Sequence, residues 1–153
     1  MKDGKRSFFN GRMCGMILGI GCDLCGIQRI QKILCGEHGS SFARRVFGPG
    51  ERELLLLDCL DGLTEPQKNR CFARAAAGFA AKEAFLKAAG TGLSGPFSLC
   101  EIEALRRESG EPYLRFSGNS EEWVRAKNIE VRLSLSHEEG FAMAFCVLEE
   151  KNG

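Results

Sequence analysis

Apolar and polar residues alternate through MILGIGCDL (16–24). This predicts a strand with Leu18, Ile20, Cys22 and Leu24 on one face and Gly19, Gly21 and Asp23 on the other. Glycines inside a strand mark a place where a ligand or another backbone comes close. The period then changes: Ile27, Ile30, Ile33 and Leu34 recur at helical spacing, predicting an amphipathic helix over about 26–35. SSFARRVF follows as a helical turn carrying two arginines. FGPG breaks the chain, and ERELLLLDCL reads as a short helix ended by Asp61-Gly62.

A long central helix starts at TEPQ, where Thr64 and Gln67 fit a capping box and Pro66 lies in the first turn. It ends at Gly90, a common residue just past a helix C-terminus. At about 100° per residue, Phe72, Ala76, Phe79 and Leu86 form one apolar stripe. Glu83 falls inside that stripe, with Lys87 one turn further on. A carboxylate in such a place is costly unless it is paired or holds a cation.

Two strands, SLCEIEALRR and PYLRF, flank the turn signal ESGE, and NSEEWVRAKN predicts a short helix capped by Asn119 or Ser120. VRLSLS and FAMAFCVLE close the chain as a hairpin through HEEG. In the last strand Phe141, Met143, Phe145 and Val147 alternate with Ala142, Ala144, Cys146 and Leu148, so both faces are apolar. One face suits the protein's own core; the other needs a second layer, either its own helices or a neighbouring subunit. No repeat, low-complexity tract or linker interrupts the pattern. The expectation is one α+β domain over 16–153, an antiparallel sheet packed with the long helix, after a loose extension over 1–15.

Composition narrows the function classes. The chain has 153 residues and a formal charge of +1, which argues against a broad nucleic-acid surface. No run reaches the roughly 18 apolar residues of a membrane span, and the opening MKDGKRSFFNGRMCG lacks an apolar signal core. A cytoplasmic location is the expectation. The eight cysteines need a separate decision. Cys22, Cys25, Cys35 and His38 spell C-x2-C-x9-C-x2-H, on paper a zinc pattern. A helix between them would separate Cys25 and Cys35 by about 15 Å, too far for one metal. Reduced thiols packed as small hydrophobes are the expected state.

Three constellations carry candidate chemistry. Asp23, Glu83 and Lys87 would make a hard-oxygen Mg²⁺ site beside a phosphate-binding amine, or an exposed Asp next to an ordinary i, i+4 ion pair. Ser134, Ser136 and His137 could bind phosphate or ribose at a strand end, or form a polar face entering a turn. GIGCDLCG is not a dinucleotide fingerprint, because Leu24 stands where the third glycine belongs.

In order and spacing, GIGCDLCGIQRI, FARRVF, FAAKEAFLKAAGTG, SGEPYLRF and LSLSHEEGFAMAF resemble the holo-acyl-carrier-protein synthases, the short bacterial 4′-phosphopantetheinyl transferases. The resemblance spans about 16–148 and implies a 4′-phosphopantetheinyl transferase-like fold. It implies transfer of phosphopantetheine from coenzyme A to a serine of apo-acyl-carrier protein, supporting fatty acid biosynthesis. By motif match, Asp23 and Glu83 are the expected Mg²⁺ ligands, with Lys87 offsetting charge on the phosphates. Arg70, Gly90, Thr91, Gly92, Ser136 and His137 are the expected coenzyme contacts, and Arg29 and Arg45 face the acidic carrier protein. A homotrimer with the coenzyme between subunits is also implied. One departure stands out: relatives read GRFAAKEA where this chain has AGFAAKEA, leaving Gly78 without the arginine and Arg74 as the cation one turn away. Two rivals remain, a non-catalytic carrier-binding module and a zinc- or redox-active cysteine protein.

Overall fold

The computed structural model describes residues 15–151; the extension expected over 1–15 lies outside them except for Gly15. The elements are β1 (Ile17–Gly26), α1 (Ile27–Leu34), α2 (Gly39–Val46), α3 (Pro49–Leu54), α4 (Glu65–Ala89), β2 (Ile102–Arg106), β3 (Pro112–Phe116), α5 (Gly118–Ala126), β4 (Ile129–Glu138) and β5 (Phe141–Glu150). β1, β5 and β4 form an antiparallel sheet in that order, β2 and β3 a separate hairpin, and α4 packs across β1 and β5.

The glycines of β1 explain that packing. A Cβ added at Gly19 would lie 2.1 Å from the carbonyl oxygen of Ala88, and one at Gly21 2.0 Å from that of Ala84. Only a strand without side chains there can approach α4 so closely. Ala142, Ala144 and Cys146 of β5 supply small side chains on the same inner face. The larger residues are turned outward: Ile20 and Leu24 are 61% and 60% exposed, and Phe141, Met143 and Phe145 are 51%, 43% and 41% exposed.

The central helix runs as expected from the Thr64 cap, where the Thr64 amide donates to Gln67 Oε1 at 2.9 Å, to Gly90 in the left-handed region at φ 71°. It is buried on most of its circumference rather than along one stripe, and Lys82 is fully buried. Lys82 Nζ donates to Glu51 Oε2 at 2.5 Å, to Leu99 O at 3.0 Å and to Ile102 O, using all three of its donors. The Glu51 carboxylate also accepts from the amides of Gly48 and Ala104. Glu103 accepts from the amides of Gly50 and Glu51 and from Arg115. This network ties α3, α4 and the β2–β3 hairpin together.

Three local expectations are corrected. The helix expected over ERELLLLDCL starts earlier, at Pro49, and stops at Leu54. Leu56 adopts φ 55°, and a short 3-10 helix (Leu57–Gly62) follows. SLCEIEALRR becomes a strand only from Ile102, after a 3-10 turn over Leu99–Glu101. α5 begins after Ser117, and Ser120 is no cap: its buried hydroxyl donates to Ser117 O at 2.8 Å, with Glu101 O the alternative acceptor at 3.1 Å.

Candidate active site

Strand alternation and helix phase decide which predicted residues meet. β1 turns Gly19, Gly21 and Asp23 toward α4, and the close approach at the glycines brings Asp23 to the last turns of that helix. Lys87 Nζ donates to Asp23 Oδ1 at 2.8 Å and to the Cys22 carbonyl at 2.9 Å. An ammonium has three donors, so one is left for a ligand. Glu83, one turn before Lys87, has a buried Oε1 without a hydrogen-bond partner. Burial first, and the neighbouring Asp23 charge second, push its carboxyl above the ordinary carboxylate range, while Lys87 and Arg29 oppose the shift. Asp23, Glu83 and Lys87 are thus brought together as the sequence predicts.

Two adjacent carboxylates, one with an unpartnered buried oxygen, fit a hard divalent cation that keeps waters and takes phosphate oxygens. Among the described residues no group of three or more His, Cys, Asp or Glu is placed to hold a metal, so any ion here depends on ligands from water or substrate. The zinc pattern is not assembled. Cys22 is exposed and Cys25 buried on β1, and the seven described cysteines are free thiols. Burial pushes the Cys71 thiol up to about 11 and that of Cys146 up to about 12, which keeps both protonated and inert.

Arg29, exposed on α1, lies at the rim of this site, its guanidinium 6.0 Å from the centroid of the Phe79 ring. Arg45 is exposed in the last turn of α2. Gly90, Thr91 and Gly92 follow the C-terminus of α4, with the Thr91 amide donating to Leu86 O and its hydroxyl oxygen buried without a partner.

Ser136 and His137 do not share a surface. Ser136 pairs with Met143 on the outer face of the sheet, and His137 with Ala142 on the inner face. His137 lines a cavity of about 320 Å³ with Arg74, Gly78 and Arg106. On α4, Gly78 and Arg74 are about 140° and 180° around the axis from Glu83, so this cavity lies on the opposite flank of the helix. Arg70 lines an adjoining hollow with Leu54, Leu55, Leu56 and Arg74. Lys82, Glu51 and Arg106 were not singled out from sequence. A signal for Lys82 existed, because it shares a helix face with Gly78, Phe85 and Leu86.

Comparison with known proteins identifies the family of the fold. The pattern of the 4′-phosphopantetheinyl transferase superfamily matches residues 19–146. The holo-[acyl-carrier-protein] synthase of Ralstonia nicotianae is 34% identical over 137 residues, covering 90% of this chain and 95% of that protein. That of Delftia acidovorans is 37% identical over 136 residues, covering 89% and 99%. A crystal structure of a holo-(acyl-carrier-protein) synthase from Bacillus anthracis in complex with CoA (3′,5′-ADP) superposes with a TM-score of 0.68 at 34% identity, covering 89% of this chain and 99% of that one. The Neisseria meningitidis enzyme gives 0.69 at 34% identity, covering 88% and 100%. With this fold and this length of match, the chain belongs to the 4′-phosphopantetheinyl transferase superfamily.

Proposed function

We propose that the protein is a holo-acyl-carrier-protein synthase: it transfers 4′-phosphopantetheine from coenzyme A to a serine of apo-acyl-carrier protein, releasing adenosine 3′,5′-bisphosphate. The observation that carries this reading is the unpartnered buried oxygen of Glu83 beside Asp23 and Lys87. Asp23 and Glu83 would hold Mg²⁺, which supplies Lewis-acid stabilisation of phosphate charge when bound. Lys87, anchored by Asp23 and the Cys22 carbonyl, is pre-positioned to direct its remaining donor at the pyrophosphate. The serine oxygen forms the new bond to the pantetheine-side phosphorus, and the bond to the bridging oxygen breaks. The electron pair leaves with the nucleotide bisphosphate, and the serine proton is released to water or to a site carboxylate.

Exposed Arg29 and Arg45 supply positive charge for an acidic carrier protein, which raises encounter rates more than it adds affinity. The seven free thiols suit a reducing cytoplasm, where the product would serve fatty acid biosynthesis.

The protein works as a homotrimer in this reading. Ile20, Leu24, Phe141, Met143 and Phe145 give the sheet an outward apolar face that a neighbouring subunit would cover. Asp23 and Glu83 come from one subunit and Ser136 and His137 from the next. The opposite flanks of α4 that separate Glu83 from His137 within one chain favour this division. Mixed Asp23→Asn and His137→Ala subunits should then regain activity that neither has alone. Two impaired parents that exchange subunits without rescue would refute the shared site.

The reaction itself is tested by chromatography of the nucleotide product. Adenosine 3′,5′-bisphosphate should appear when coenzyme A, Mg²⁺ and apo-carrier are present, and should not appear when the carrier's serine is replaced by alanine. Equal release with both carriers would mean hydrolysis and not transfer.

A further inference from the structure

A cavity of about 500 Å³ between α2, α3 and the 3-10 helix Leu57–Gly62 is lined by none of the residues assigned above to transfer, coenzyme or carrier. Its volume lies in the range of small-molecule sites. α2 and α3 contribute Arg44 and Arg52, and the 3-10 helix contributes Asp58, Cys59 and Asp61. The Nε of Arg52 is buried without a hydrogen-bond partner; Asp58 Oδ2 stands 4.0 Å away, beyond bonding range. A buried donor left in this state is costly, and a ligand carboxylate gripping the guanidinium would relieve it. Arg44 and Asp61 are exposed, and among the described residues neither forms an ion pair. Two cations and two anions that face one space with no hydrogen bond between them suit a ligand bearing both signs.

The same space holds a thiol. Cys59 is exposed, its Sγ 3.5 Å from the Leu56 carbonyl oxygen, at a kink where the backbone leaves helical geometry at φ −134° and ψ 29°. Cys22 and Cys35 are also exposed but lie outside this cavity. We propose that the cavity is a modification site, where Cys59 forms a mixed disulfide with a small zwitterionic thiol of the glutathione class. Arg44 and Arg52 bind the carboxylates of that thiol, and Asp58 and Asp61 bind its ammonium group. The reagent is the symmetrical disulfide of the same thiol. Cys59 gives its proton to water, and its thiolate attacks one sulfur of the reagent. The new S–S bond forms as the old one breaks, and the electron pair leaves on the second sulfur, which takes up a proton. Cys59 is oxidised and the departing thiol reduced, with no further oxidant. The site stands independently of the transferase reading.

The test exposes the folded full chain to oxidised glutathione and follows each cysteine by intact mass and peptide mapping. Cys59 should be modified about tenfold or more faster than Cys35, with one glutathione added per chain at early times and removed by dithiothreitol, as expected for at least one charge-assisted hydrogen bond to the reagent. With bis(2-hydroxyethyl) disulfide, which carries no charge to recognise, that preference should vanish. Arg44→Ala, at an exposed position, and Arg52→Gln should each slow glutathione addition at Cys59 about tenfold and leave the rate with the neutral disulfide unchanged. Three results would each overturn the assignment: a Cys59 modified no faster than Cys35, an internal disulfide in place of the adduct, or an Arg44→Ala rate that falls equally with both reagents or not at all.

Discussion

Gly21→Ala strikes the contact that assembles the site without touching a charged residue. The new methyl would lie 2.0 Å from the Ala84 carbonyl oxygen and 2.7 Å from the Ala88 amide nitrogen, both backbone atoms of α4. Ordinary contact begins near 3.4 Å, so strand and helix must separate by about 1.4 Å unless the backbone deforms. Overpacking of this kind costs about 1–3 kcal/mol. In a domain of this size that lowers the melting temperature by roughly 2–4 °C per kcal/mol. The same displacement carries Asp23 away from Lys87 and Glu83, and a misplacement of about 1 Å in a catalytic constellation can cost roughly 100-fold. Urea unfolding and carrier modification rates should be measured beside Gly62→Ala, where an added Cβ meets nothing within 4 Å. Wild-type stability and turnover in Gly21→Ala would refute the claim that only a strand without a side chain at this position can approach α4 so closely.

Other outcomes follow from the same geometry. Glu83 has its folded pKa raised, so its contribution to stability is present below the unfolded value and lost as pH rises through the folded one. Glu83→Gln should therefore raise the melting temperature of metal-free protein at pH 7 more than at pH 4, and abolish the stabilisation that Mg²⁺ gives the wild type; equal Mg²⁺ shifts in both proteins would exclude Glu83 as a ligand. Lys82→Met leaves the Glu51 carboxylate buried without its cation and should cost about 3–5 kcal/mol in urea unfolding, whereas a loss under 1 kcal/mol would show the pair to be dispensable. Replacing Arg29 and Arg45 together with Ala should raise the KM for carrier protein at low salt, with a smaller difference at high salt as exposed charges are screened. Identical carrier KM values at low salt would move the docking surface elsewhere.

Local pattern made much of this fold legible. The glycine face of β1, the Thr64 and Gly90 boundaries of α4 and the two-faced last strand follow from alternation and capping chemistry. The pairing of Asp23 with Lys87 was readable for the same reason, since residue types and strand parity fix the face. Other features depend on partners distant in sequence. The helix face of Lys82 was readable, but its partners, Glu51 of α3 and the carbonyls of Leu99 and of Ile102 at the start of β2, are distant in sequence and no local rule announces them. The run LLLLDCL (54–60) could not reveal that Leu56 breaks the helix, because a leucine at φ 55° runs against its own propensity. Ser136 and His137, adjacent in the motif, lie on opposite faces of β4 by strand parity, a consequence that motif spacing conceals.

The most direct measurement is the intact mass of an apo-acyl-carrier protein incubated with coenzyme A and Mg²⁺, using wild type and Glu83→Gln side by side. The wild type should add one phosphopantetheine to the carrier's serine, and Glu83→Gln should add almost none over the same interval while remaining folded. A carrier left unmodified by the folded wild type, or modified equally fast by Glu83→Gln, would contradict the assignment of Asp23, Glu83 and Lys87 as the transferring site.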